Sequence, residues 1–138
     1  MSDTFSVLRD RRILVVDDSV QITLLLDEVF THCGSTVVIV NSGQEALGML
    51  TSEEFDLVIL DLVMPPPNGR DVLGFMRETR PEILSRTLLL TGDRYHPGAV
   101  SGIDDSEIQI LYKPFDLTLL RAAAACRLVK CTDVLGAA

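Results

Sequence analysis

Five residues in four places have side chains suited to work on a phosphoryl group or a metal ion: the pair Asp17-Asp18, then Asp61, Thr91 and Lys113. Each closes or follows a short apolar run. Asp17-Asp18-Ser19 follows Ile13-Leu14-Val15-Val16, and Asp61 ends Asp56-Leu57-Val58-Ile59-Leu60-Asp61. Thr91 ends Thr87-Leu88-Leu89-Leu90-Thr91, and Lys113-Pro114-Phe115 follows Ile108-Gln109-Ile110-Leu111-Tyr112. Taken singly these are weak signals. A strand-end carboxylate serves as phosphate acceptor, metal ligand, catalytic acid or cap; an aspartate pair also caps helices, and threonine is common in strands. Taken together they are more specific. Three carboxylates about 5 Å apart repel pairwise by about 3 kcal/mol at an effective dielectric of about 20. Such a pocket needs a counter-ion or a raised pKa. Only oxygen ligands are offered, since histidine and cysteine are absent from these strand ends. That donor set selects a hard cation, Mg2+ or Mn2+, which keeps waters and shares phosphate oxygens. With the charge of Lys113 and the hydroxyl of Thr91, the set fits phosphoryl transfer onto Asp61: the carboxylate attacks while cation and ammonium neutralise the phosphoryl oxygens. The product is an acyl phosphate with close to two negative charges.

These residues meet only if the runs that carry them are parallel strands, because then every C-terminal edge lies on one side. The rest of the chain supplies what that requires. Val20 to His32 has Ile22, Leu25, Leu26, Val29 and Phe30 at helical spacing, capped by Ser19 or Asp18 and stopped at Cys33-Gly34. Thr36 to Val40 is a second strand, and Gln44 to Leu50 a helix with Ala46, Leu47 and Leu50 on one face. Phe55 to Leu60 is the third strand. After Pro65-Pro66-Pro67, Asp71 to about Thr79 is a helix with Val72, Phe75 and Met76 inward, ended near Pro81. Thr87 to Thr91 and Ile108 to Tyr112 are the fourth and fifth strands. Between them Gly92 to Gly102 holds glycines and a proline that make it a poor helix. A last helix runs from Asp116 through Leu117, Leu120, Ala124 and Leu128. Five strands alternating with helical segments require right-handed crossovers and give a three-layer α/β/α sandwich. In the run Leu24-Leu25-Leu26 not all three can face inward, and Leu24 is expected at the surface. Residues 1–10 read as a polar lead-in, 11–131 as one domain and 132–138 as a tail.

Composition narrows the function. At 47% hydrophobic, the 138 residues can build a full core. A net charge of −8 and a pI near 4.6 argue against direct contact with nucleic acid. No apolar stretch is long enough to insert in a membrane, and Met1-Ser2-Asp3-Thr4-Phe5 is not a signal peptide. Cys33, Cys126 and Cys131 are odd in number and lack metal-ligand spacing, which fits a reducing cytoplasm. His32 and His96 read as ordinary helix-end or surface histidines.

The joint pattern resembles the receiver domain of two-component response regulators, over about residues 11 to 130. It is carried by Asp17-Asp18 after the first strand, Asp61 with Met64-Pro65 and Gly69 behind it, Thr91, and Lys113-Pro114; the interval from Asp61 to Thr91 is 30 residues and from Thr91 to Lys113 is 22 residues. The resemblance implies the flavodoxin-like strand order 2-1-3-4-5. It implies Asp61 as phosphoacceptor and Mg2+ held by Asp18, Asp61 and the main-chain carbonyl of Val63, with Asp17 acting mostly through water. Thr91 becomes the switch hydroxyl, Lys113 the phosphate contact, and the Lys113-Pro114 bond cis. A histidine kinase or histidine phosphotransfer protein is the implied donor. No output domain follows in the sequence, so a single-domain regulator signalling to a downstream protein is the expectation. The resemblance implies a signalling protein rather than an enzyme, one that catalyses only its own phosphotransfer and dephosphorylation. Alternatives are a phosphorylation-independent adaptor and an aspartyl-phosphate phosphatase. The latter usually has D-x-D after its first strand, where Asp17-Asp18-Ser19 stands here. The sequence departs from the family at Ile110, where receivers often carry an aromatic residue. Tyr112 is read as facing the other way from Ile110.

Overall fold

The computed structural model describes residues 6–92, 103 and 108–136, with the side chains of 130–136 left aside. Its strands are β1 (Arg12–Val16), β2 (Thr36–Val40), β3 (Leu57–Asp61), β4 (Thr87–Thr91) and β5 (Gln109–Tyr112). The helices are α1 (Val20–His32), α2 (Gly43–Ser52), α3 (Gly69–Thr79) and α4 (Leu117–Gly136). All strand pairs are parallel, in the order β2-β1-β3-β4-β5. This is the doubly wound flavodoxin-like fold expected from the sequence.

Alternation along the strands assigns the two faces. Leu14, Val16, Val58, Leu60 and Leu89 pack with Ala46 and Leu50 of α2 and Val72, Leu73 and Met76 of α3. Ile13, Val15, Leu57, Ile59, Leu88 and Leu90 pack with Leu26 and Phe30 of α1 and Leu120, Ala124 and Leu128 of α4. Because β1, β3 and β4 are covered on both sides, their apolar runs are continuous.

Several expectations need correction. α3 starts at Gly69 rather than Asp71, because Asn68 and Asp71 form a reciprocal capping box: each side chain accepts the other's main-chain N–H. On α1, Leu24 is 58% exposed as expected, but Leu25 is also exposed and Thr23 takes an inward position. The segment 1–10 is more than a lead-in. Leu8, in a 3-10 turn over Ser6–Leu8, is fully buried against the α1/α4 core, and Ser35 Oγ donates to its carbonyl at 2.6 Å. α4 continues through most of the stretch read as a tail, since neither proline nor glycine interrupts Arg127 to Leu135. Ile110 packs on the α2/α3 side and Leu111 on the α1/α4 side. Tyr112, two residues beyond Ile110, therefore shares its face, and the opposite reading is wrong. The expected weak helix falls on residues 93–102, outside the described residues, as does His96. Lys113–Pro114 is cis, and Pro66–Pro67 is cis as well.

Candidate functional site

The ends of β1, β3, β4 and β5 build the site. β1 runs directly into Asp17, which is fully buried, and Asp18, which is exposed at the mouth. Ser19, not Asp18, caps α1: its Oγ accepts the Ile22 N–H at 3.3 Å. The Ser19 N–H donates to Asp17 Oδ1 at 2.9 Å, which fixes that carboxylate before α1 begins. Asp61, the last residue of β3, is 3% exposed, and its Oδ1 accepts the Val63 N–H at 3.2 Å. Lys113 follows β5, and its N–H donates to the Thr91 carbonyl at 2.7 Å, continuing the sheet to the site's edge. Its ammonium lies between the two buried acids, 3.0 Å from Asp17 Oδ2 and 3.4 Å from Asp61 Oδ2.

Asp17, Asp18 and Asp61 each bring a carboxylate oxygen within 4.8 Å of the others. Together with Ser19, Val63, Gly92 and Lys113 they line one open cleft at the C-terminal edge of the sheet. Thr91 ends β4 beside the cleft and is fully buried, but it is not among the lining residues. Of the residues singled out from sequence, the structure thus gathers all but Thr91 in the cleft wall. Ser19 and Gly92 are additions. Ser19 was legible only as a cap, and Gly92 only as the residue after a strand.

Burial and the neighbouring Asp17 charge push the Asp61 carboxyl up from its ordinary 3.8 to about 6, against the opposing pull of Lys113 and the Val63 N–H. Burial pulls the Lys113 ammonium down, yet its hydrogen bond to Asp17 and the charges of both carboxylates leave it above its ordinary value. Among the described residues the cleft is lined by three carboxylates and one ammonium, which pairs with Asp17 and Asp61, so it carries excess negative charge around carboxylate oxygen donors. That donor set fits Mg2+ or Mn2+. Among the described residues no helix is long and apolar enough to cross a membrane.

Comparison with known proteins agrees with the geometry. Residues 13–125 match the family model of the response regulator receiver domain. The transcriptional regulatory protein TcrA of Mycobacterium tuberculosis is 33% identical over 111 residues, covering 80% of this chain and 43% of that protein. The chain thus spans less than half the length of this relative. The crystal structure of the response regulator TrrA from Thermotoga maritima, in complex with Mg2+-BeF, superposes with a TM-score of 0.73 at 31% identity, over 85% of this chain and 98% of that one. A CheY-like receiver from Methanospirillum hungatei shares the fold with a TM-score of 0.78 at 23% identity, over 88% of this chain and 95% of that one.

Proposed function

The chain belongs to the response regulator receiver family, and on that premise we propose that it is a cytoplasmic phosphorylation switch. It takes a phosphoryl group on Asp61 from a histidine kinase or histidine phosphotransfer protein and signals by contact with a downstream protein. The observation that carries this reading is the buried Asp61, set within 4.8 Å of two further carboxylates and 3.4 Å from the Lys113 ammonium at an open cleft.

In this reading a lone pair of an Asp61 carboxylate oxygen forms the new O–P bond. The donor's N–P bond breaks and its electron pair stays on the imidazole nitrogen. Asp61 Oδ1, tied to the Val63 N–H, is held in place, so attack falls to an oxygen whose direction the loop has fixed. Asp18, Asp61 and the Val63 carbonyl would hold Mg2+ directly and Asp17 largely through water; Mn2+ suits the same donors. Bound there, the ion supplies the charge neutralisation that a phosphoryl group needs among carboxylates. Lys113 contacts a phosphoryl oxygen and gives up its hold on Asp61 to do so. Thr91 offers its hydroxyl to another oxygen and thereby couples phosphorylation to the β4 edge, biasing a two-state equilibrium. Exposed Leu24, on the helix that starts at the cleft, offers an apolar contact to the donor.

Beryllofluoride, which accompanies Mg2+ in the Thermotoga complex, mimics the acyl phosphate and tests the reading by titration calorimetry. Uptake should require Mg2+ and vanish in Asp61→Asn. Uptake without Mg2+, or undiminished in the variant, would contradict the assignment.

A further inference from the structure

β2 ends at Val40, and the next residue turns back toward β1. The Asn41 side-chain amide donates to the main-chain carbonyl of Asp17 at 3.0 Å and to Thr23 Oγ1 at 3.3 Å. The Thr23 hydroxyl, 1% exposed, donates onward to the Val20 carbonyl at 3.0 Å. From the other side the Asp17 N–H donates to the Val40 carbonyl at 3.3 Å. Residues at the end of β2 therefore hold both polar groups of the Asp17 main chain. The same amide reaches the first turn of α1. The corner between β1 and α1, which carries Asp17, Asp18 and Ser19, is fastened at both ends by a group that does not line the cleft.

This fastening matters for chemistry because the pair Asp17-Asp18 has no ladder partner of its own beyond Val16. Its two carboxylates point at Asp61 only while the corner keeps its shape. The Asp17 carboxylate is tied through Oδ1 to the Ser19 N–H of the same corner, so a drift of the corner moves it against its Oδ2 contact with Lys113 and relative to Asp61. Groups one shell behind ligands commonly set metal affinity in this way.

We infer that Asn41 is a positioning residue for the acidic site, acting with Thr23 to hold the β1–α1 corner at its distance from Asp61. The inference rests on the reading that these acids take a divalent cation. Mg2+ itself is the probe. Its dissociation constant is measured by titration calorimetry for wild type, Asn41→Ala, Asn41→Leu, Thr23→Val, Thr23→Ser and the double variant Asn41→Ala/Thr23→Val. All are held well below their unfolding midpoints in EDTA. Loss of the amide should weaken Mg2+ by roughly 10- to 100-fold, Thr23→Ser should match wild type, and the double variant should fall short of the product of the two single effects. On the metal-free protein, amide hydrogen exchange should quicken at residues 17–23 in Asn41→Ala while Phe30 keeps its protection. Variants that bind Mg2+ as tightly as a wild type that binds it, or unchanged exchange at 17–23, would overturn the role of Asn41 alone. A wild type that takes up no Mg2+ would overturn the reading beneath it as well.

Discussion

Asp61 is held in its place at a cost that pH should reveal. The folded protein raises its pKa from 3.8 to about 6, through burial first and the charge of Asp17 second. Between about pH 4 and pH 6 the metal-free folded state therefore holds a proton that the unfolded chain releases. Stability must fall as pH rises through that window, and the penalty is fully present above it. The shift corresponds to about 3 kcal/mol. Asp61→Asn removes the charge and keeps the shape. Urea unfolding in EDTA should find the variant more stable than wild type at pH 7, by up to about 3 kcal/mol, with the gap closing toward pH 4; a gap independent of pH would contradict this. The residues of the site were legible because a parallel sheet brings every strand's C-terminal end to one edge. The hydrogen bonds that orient them were not. Asn41 reads in sequence only as the residue closing a strand. Its hold on Asp17 exists only because β2 pairs with β1 in the register that sets Val16 opposite Val40.

At the scale of elements, α3 shows how closely a helix can be pressed against the site. Gly69 opens it, and a Cβ there would lie 2.4 Å from the Asp61 carbonyl oxygen and 2.5 Å from the Leu62 Cα. Both are main-chain atoms of the strand end, so neither can swing aside. Gly74, one turn further on, is exposed, and a Cβ there would meet nothing within 4 Å. The same substitution should thus have opposite signs. Gly69→Ala should destabilise by about 1–3 kcal/mol or more and impair phosphorylation. Gly74→Ala should stabilise by up to about 1 kcal/mol and leave it untouched. Chemical denaturation of the two variants checks this, and equal effects would count against the packing described. Helix and strand types followed from periodicity, and so did the ends of α1, β2 and β4, but the ends of α3 and α4 did not. α3 begins early because of the reciprocal cap of Asn68 and Asp71, and α4 runs on because nothing in its sequence stops it. Leu8 shows the limit from the other direction: the few apolar residues before β1 have no helical or strand period, yet Leu8 is buried in the α1/α4 core with Val7 packed against it.

For the whole molecule, the sheet divides the interior into two apolar layers, while its C-terminal edge gathers three carboxylates and an ammonium around one cleft. That asymmetry was legible in the sequence, where β1 and β3 end in acids and β5 in a lysine while their bodies are apolar. The path by which a signal leaves the edge was not, because Ile110 stands where receivers often place an aromatic group. What the edge does can be measured directly. Incubation with a small-molecule phosphodonor and Mg2+, followed by intact-mass spectrometry, should add one phosphoryl group per chain, and none in EDTA or in Asp61→Asn. A protein that gains no phosphoryl group under these conditions, or a variant that gains it as wild type does, would contradict the assignment of Asp61 as the phosphoacceptor.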